Sequence, residues 1–334
     1  MSGICGLDVG TNCLVSARLG LDGNVVFGTQ RDAFYEIVPK SEVNRNTIKT
    51  SLDKRGADYI ISGETFVVVG EDALDLAIER NDIVKRPLSK GVISPKEKDS
   101  LPILKHIITN LIGKSEDNST IVYSVPAKPI DSDFDIEYHK QMLNKHLSSI
   151  GYIPSAINES FAIGLAELVD FELSGIAASF GAGMINIAVL HYGEPVVEFS
   201  ITKSGDYIDK SVATALDLPV SLIQKEKENI GLDLLNIGDN KIAEALGVYY
   251  GAVIEYSMKS MLFELNMIDK KTMPSFTKPI PIVVSGGLTM VGGFVEKIEE
   301  ALNKLELPFK VSGVKRASDP LKAVAQGCLL AAQL

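Results

Sequence analysis

Gly3-Ile4-Cys5-Gly6-Leu7-Asp8-Val9-Gly10-Thr11-Asn12 and Gly175-Ile176-Ala177-Ala178-Ser179-Phe180-Gly181-Ala182-Gly183 follow one local plan. Each is an apolar run that ends in a glycine turn. A second strand-like run follows at once, residues 14–19 in one copy and 185–191 in the other. A turn comes next, Asp22-Gly23 or Tyr192-Gly193, and then a third run, residues 25–27 or 196–199. Apolar runs punctuated by glycine turns read as strands joined by hairpins. The plan occurs twice, which predicts a duplicated nucleotide-binding lobe: two glycine hairpins facing each other can grip a triphosphate. The copies also differ. The first turn is entered through Asp8, and the second has Ser179 in that place.

The chain has 334 residues, 46% of them apolar and 23% charged, enough for one large or two medium domains with sizeable cores. No apolar stretch is long enough to span a membrane. The first residues show neither a secretory leader nor an amphipathic segment ahead of the first strand, so a cytoplasmic protein is expected. Cys5, Cys13 and Cys328 are too scattered for a disulfide framework or a zinc site, which fits a reducing setting. A formal charge of −10 argues against a dominant nonspecific role on nucleic acid.

Along the chain, residues 1–30 and 72–157 read as the core of a first lobe. Residues 31–71 read as a small inserted subdomain, with strand-like patterns at 58–62 and 65–69. Residues 158–334 read as the second lobe, including a helical subdomain near 207–262. Helical spacing marks 72–79, 101–111, 138–150 and 161–168 in the first half. In the second half it marks 207–216, 221–228, 242–262, 294–305 and 320–332. Buried strands are expected at 120–125, 153–157, 281–285 and 309–312. Strands first, then alternating helices and strands, twice over, predict a two-lobed α/β protein with its ligand in the cleft.

Asp8 stands at the end of a buried strand beside Gly10 and Thr11. A carboxylate there repels phosphate, so its useful role is to hold Mg²⁺ or the waters around it. Read alone, it is equally a turn Asp bonding its own loop. Further motifs tip the balance. Leu7-Asp8-Val9-Gly10-Thr11 resembles the first phosphate loop of the actin, sugar-kinase and heat-shock-chaperone ATPase superfamily. Arg86-Pro87-Leu88 with Gly91-Val92-Ile93, and Asn158-Glu159-Ser160-Phe161-Ala162-Ile163-Gly164, resemble stretches of the bacterial rod-shape actins (MreB type). Residues 179–186 stand where the second phosphate loop belongs. Gly205-Asp206-Tyr207-Ile208-Asp209, Lys227-Glu228-Asn229-Ile230-Gly231, and Ser285-Gly286-Gly287-Leu288 with Gly292-Gly293 follow in the family's order. The resemblance spans nearly the whole chain and is strongest to prokaryotic actin homologues.

That resemblance implies a two-lobed, ribonuclease H-like actin fold that binds ATP or ADP with Mg²⁺. It implies that Asp8 stands on the metal side, most simply through water. Gly10, Thr11 and Asn12 of the first loop and Gly181, Ala182 and Gly183 of the second would line the phosphates. Glu159 would orient the attacking water; its plain alternative is a helix-start Glu favoured by the macrodipole. Gly205 and Asp206 would lie near ribose and metal, the alternative being a helix cap. Gln224 and Lys227, one turn apart, would face the adenosine, against a default of a solvated polar face. Gly286, Gly287 and Leu288 would let the backbone pass near adenine or the α-phosphate; the alternative is a plain turn.

The departures bear on chemistry. Ser179 replaces an Asp, Ala182-Gly183-Met184-Ile185 replaces Gly-Gly-Thr-Thr, Asn186 replaces a further Asp, and Gln224 stands where a ribose-binding Glu is common. Losing a metal-side carboxylate spares binding but slows a reaction that depends on positioning and charge. The implied function is a cytoskeletal or scaffold filament protein that self-associates on ATP and turns it over slowly. The alternative is a non-polymerising actin-like regulator, chaperone-like ATPase or pilus-assembly-type adaptor. A small-molecule kinase would need a base aimed at a hydroxyl, and Asp131, Asp133 and Asp135 read instead as a solvated loop. Membrane contact is left only to an exposed loop.

Overall fold

The computed structural model describes residues 3–80, 82–97, 99–269 and 271–334. Strands β1 (Cys5–Val9), β2 (Cys13–Leu19) and β3 (Val25–Arg31) form an antiparallel meander. A small unit follows, made of β4 (Phe34–Ile37), α1 (Glu42–Arg55), β5 (Tyr59–Ser62), β6 (Thr65–Val69) and α2 (Glu71–Glu79), with its own sheet ordered β4-β6-β5. A short hairpin, β7 (Leu88–Ser89) with β8 (Val92–Ile93), leads out of it. Helix α3 (Ser100–Ile112), β9 (Thr120–Val125), α4 (Glu137–Ser149) and β10 (Ile153–Asn158) complete the first lobe.

Helix α5 (Glu159–Glu167) opens the second half, where β11 (Gly175–Phe180), β12 (Ile185–His191) and β13 (Glu194–Ile201) repeat the meander. After them come α6 (Gly205–Leu216), α7 (Val220–Asn229), α8 (Lys241–Asn266), β14 (Ile280–Ser285), α9 (Phe294–Leu302), β15 (Val311–Arg316) and α10 (Ala323–Ala331). The sheets run β10-β9-β1-β2-β3 and β13-β12-β11-β14-β15. In each, the first strand pairs antiparallel with the second and parallel with a later one, which pairs parallel with the last. The duplication read from two glycine turns is therefore a duplication of whole sheets.

Each lobe has its own apolar core. In the first, Leu7, Ile103, Ile107, Ile121, Tyr123 and Leu147 pack between sheet and helices. In the second, Phe180 meets Phe294 edge-on with centroids 5.0 Å apart, a pairing worth about 1 kcal/mol beyond its buried area. Phe294, Ile298 and Ala301 fall on one face of α9, at the helical spacing read from the sequence. A further core joins the lobes: Val122 of the first, Ala177 and Val283 of the second, and Ala162, Ile163, Val324 and Cys328 of α5 and α10. The two helices meet backbone to backbone. A side-chain carbon at Gly327 would lie 1.8 Å from the Ala162 carbonyl oxygen, and one at Gly6 would lie 2.3 Å from the Leu329 nitrogen. Only glycine permits such approaches.

Two readings need correction. The inserted stretch after residue 31, for which only strands were read, also holds α1. That helix buries only Leu52 and carries little apolar periodicity, but Ser41 accepts from the Asn44 N–H and left-handed Gly56 closes it. Helix α2, counted with the first-lobe core, packs instead with the small sheet, where Ala73, Leu76 and Ala77 join Tyr35, Phe66 and Val68.

Candidate functional site

The two glycine loops lie side by side, one from each lobe. Both close by the same turn: a side-chain carbon at Gly10 would stand 2.6 Å from the Cys13 carbonyl oxygen, and one at Gly181 would stand 3.0 Å from that of Met184. Thr11 is buried, and its hydroxyl accepts from the Gly91 N–H at 3.1 Å. A side-chain carbon at Gly183 would fall 2.4 Å from Thr11 Oγ1, so the loops touch there. The amides of Thr11, Asn12, Ala182 and Gly183 donate to no protein carbonyl among the described residues, which leaves N–H groups on both loops to meet an anion.

Asp8 sits at the end of β1, held by the neighbouring strand. The Ser124 hydroxyl donates to Asp8 Oδ1 at 2.9 Å and accepts from the Val9 N–H at 2.9 Å. Burial pushes its carboxyl up to about 6, and the Ser124 bond pulls the other way. Glu159 begins α5, the helix shared by both lobes. Burial and then the charge of Asp8 push its carboxyl up to about 8, with Ser179 and Asn186 favouring the ionised form. The two acids stand at the ends of the strands on either side of β9, Asp8 on β1 and Glu159 just past β10.

Asn186 holds Glu159 in place. It is fully buried on β12, opposite Ser179. Its Oδ1 accepts from the Ala127 N–H at 2.8 Å, so its Nδ2 must be the group that donates to Glu159 Oε2 at 3.0 Å. An Asp at this position has no proton to donate and would oppose the ionised Glu159. The segment after β9 docks along the same edge: Ser200 donates to Lys128 O at 3.0 Å, and Ile130 to Ser200 O at 3.0 Å. Asp131, read as part of a solvated loop, accepts from the Thr202 N–H at 2.9 Å.

This geometry bears on the implied cofactors. Among the described residues no group of three or more His, Cys, Asp or Glu side chains could cage a metal ion. Asp8 with Glu159 nearby suits Mg²⁺, which keeps several waters and needs only one or two carboxylates besides phosphate. The free amides of both loops suit a polyphosphate. The residues fit Mg²⁺-nucleotide in the manner of a single metal-side acid.

The Volactin family matches residues 4–332. The chain belongs to the Volactin family. No curated protein matches it. Its fold is similar to that of a MamK double helical filament, with 18% identity over 99% of this chain and 98% of that chain and a TM-score of 0.73. It is also similar to MreB 5 of Spiroplasma citri bound to AMPPNP, with 17% identity over 97% and 94% of the chains and a TM-score of 0.67. The ethanolamine utilization protein EutJ from Carboxydothermus hydrogenoformans matches with 15% identity over 98% and 88% and a TM-score of 0.53. The fold is that of a prokaryotic actin homologue.

The remaining expected residues of this Volactin-family chain are placed as follows. Asn12 turns its carbonyl to the Asp32 N–H at 2.9 Å. Gly205 and Asp206 begin α6, but their N–H groups donate to Gly181 O at 3.2 Å and Ala182 O at 2.8 Å, so the helix start is capped by the second loop. The Asp206 carboxylate accepts from Arg86 Nη2 at 2.7 Å, across the cleft. Lys227 is not on a solvated face: its Nζ lies 2.7 Å from Asp209 Oδ1, with side chains only 15% and 3% exposed. Gln224 is half-buried one turn away. Gly286 turns at φ +95, and a side-chain carbon there would lie 2.4 Å from the Phe180 carbonyl oxygen. Gly287 has open space around it. Leu288 buries its side chain in the second-lobe core, with Cδ2 3.3 Å from the side-chain position of Gly205.

Three site residues were not anticipated. Asp32 is completely buried, accepts from the Leu88 N–H at 3.0 Å, and leaves Oδ1 without a partner. Burial pushes its carboxyl up to about 8, and Arg86 nearby lowers it. Arg86 was quoted only as part of a motif. Met184 is buried where a hydroxyl residue was expected, its sulfur 2.8 Å from the side-chain position of Gly91. The signal for Arg86 was present: a charged residue fixed by Pro87 at the entry to a tight hairpin.

Proposed function

We propose that this chain is an ATP-binding, filament-forming actin-type protein with slow hydrolysis. One observation carries the reading: Asp8, at the end of β1, and Glu159, at the start of the lobe-sharing helix after β10, flank β9 beside two duplicated glycine loops. Asp8 serves the water shell of the metal. Glu159 orients the attacking water, and Asn186 keeps its carboxylate aimed. The amides of both loops receive the phosphates, and bound Mg²⁺ supplies charge neutralisation there. Because α5 belongs to both lobes, their closure decides where Glu159 stands, and this ties hydrolysis to shape.

Slow turnover follows from two features. Ser179 provides no second metal-side carboxylate. Glu159 is held largely protonated at neutral pH, and a protonated acid orients water poorly for attack. The similarity to a MamK double helical filament and to MreB 5 bound to AMPPNP and ADP supports the polymer and the ligand. Calorimetry with adenine nucleotides is expected to show Mg²⁺-dependent binding. Electron microscopy and pelleting are expected to show filaments with ATP and fewer with ADP. A monomer in every nucleotide state would instead favour the non-polymerising reading, which the direct Thr11–Gly183 contact and the buried Met184 support. Turnover as fast as in ordinary actin-type ATPases would overturn the slow-hydrolysis part.

A further inference from the structure

The connector between the small unit and the first lobe crosses the cleft. Its Arg86 donates to Asp206 of the second lobe at 2.7 Å, with side chains 21% and 14% exposed. Two residues on, the Leu88 N–H donates to buried Asp32 at 3.0 Å. At its tip, the Gly91 N–H donates to Thr11 at 3.1 Å, and Met184 of the second lobe packs against Gly91. Asp32 belongs to the first lobe, as Arg86 does, and its Oδ1 is buried without a partner. A buried unpaired carboxyl oxygen beside an arginine is a costly arrangement unless that oxygen is used in another state.

We propose that Arg86 is a cross-cleft clasp with two carboxyl acceptors, Asp206 when the lobes are closed and Asp32 when they open, and that this exchange sets the rate at which the cleft releases nucleotide. The edge seam at residues 127–131 combines backbone bonds with side-chain bonds from Asn186, Ser200 and Asp131. The clasp is made of side chains alone and has an alternative acceptor. Closed, Arg86 neutralises Asp206 at the start of α6, where the second loop already caps the helix. Open, it pairs on its own lobe, and the hairpin withdraws from Thr11 and Met184. Arg86 is thus a positioning residue that acts through lobe closure. This inference rests on nucleotide binding for its kinetic half and is independent of it for its structural half.

The test uses the full chain in two measurements. Release of a fluorescent ADP analogue is expected to speed up about tenfold in Arg86→Ala and in Asp206→Asn, without addition in the double variant. The exchange Arg86→Asp with Asp206→Arg is expected to restore slow release. Asp32→Asn removes the open-state acceptor and is expected to slow release severalfold. Small-angle scattering without nucleotide reads closure directly: Arg86→Ala is expected to enlarge the radius of gyration and Asp32→Asn is not. An unchanged radius in Arg86→Ala overturns the clasp. An enlarged radius with fully additive release effects overturns its pairing with Asp206. If wild type binds no adenine nucleotide, the proposed function fails, and the scattering comparison still decides the clasp.

Discussion

In the first hairpin Asp8 lies opposite Val15 across the β1–β2 ladder; in the second, Ser179 lies opposite Asn186. The turns are alike, each glycine pressed onto the carbonyl three residues ahead, so the backbone plan has survived duplication. The chemistry has moved apart. The first hairpin keeps a carboxylate and a hydroxyl at the cleft. The second has Ser179 in place of a carboxylate, Met184 beneath the connector hairpin, and Asn186 as the support of Glu159. A fold constrains where a loop goes much more tightly than what it does there. The second loop has become partly a lobe-to-lobe contact.

The largest effect that would break this comparison is at the acid both loops serve. Glu159→Gln is expected to lower ATP turnover at least about a hundredfold while nucleotide affinity holds, read by steady-state kinetics beside calorimetry. In wild type, turnover is expected to rise with pH toward 8 as Glu159 ionises. The same shift has a stability sign. Folding raises the Glu159 and Asp32 pKa values, so the stability they contribute is complete at acid pH and is lost as pH rises through about 8. The Tm of wild type is therefore expected to fall between pH 5 and 9, and that of Glu159→Gln to fall less.

Next in size is the pair of turn glycines. Gly10→Ala meets a backbone oxygen at 2.6 Å and Gly181→Ala one at 3.0 Å, so urea denaturation is expected to show losses of about 3 and about 1 kcal/mol. Equal losses would mean that the turns are more alike than these distances imply. Asn186→Asp comes third. Ala127 keeps an acceptor, but Glu159 loses a donor and gains a like charge. Turnover is expected to drop about tenfold, with the alkaline rise of the pH–rate profile moved upward, a displacement that a merely structural fault would not cause. Smallest is Ser179→Asp. A third carboxylate beside Asp8 and Glu159 is expected to lower Tm in chelator and to make it respond to Mg²⁺, with turnover raised a few-fold. A Tm indifferent to Mg²⁺ would show that position 179 no longer faces the metal.

Much of the fold was legible because its signals are local. Apolar runs and glycine turns lie within a few residues of one another, and the second copy repeats the first. Helix α1 escaped for the opposite reason: it buries one leucine, and its evidence was in its caps. Asp8 and Glu159 could be picked out because each ends a strand or begins a helix beside a recognisable motif. Asp32, the partner of Arg86 and the Ala127–Asn186 bond were not legible. The residues that meet in these contacts lie 56, 120 and 59 residues apart, and only the folded chain brings them together. Lys227 shows the same limit from the other side. The sequence set adenosine against water for it, and Asp209 is what it meets.

The crossing of α5 and α10 at Gly327 has a mechanical meaning. Backbones that touch at Ala162 and Gly327 have no room to slide toward each other, so what remains to them is rotation about the point of contact. Such a point can act as a fulcrum, with one arm in each lobe. A few degrees of turn there scarcely disturb the shared core, while the outer ends of the arms travel farthest. In the proposed filament, such a pivot would gear the outer faces to events between the lobes.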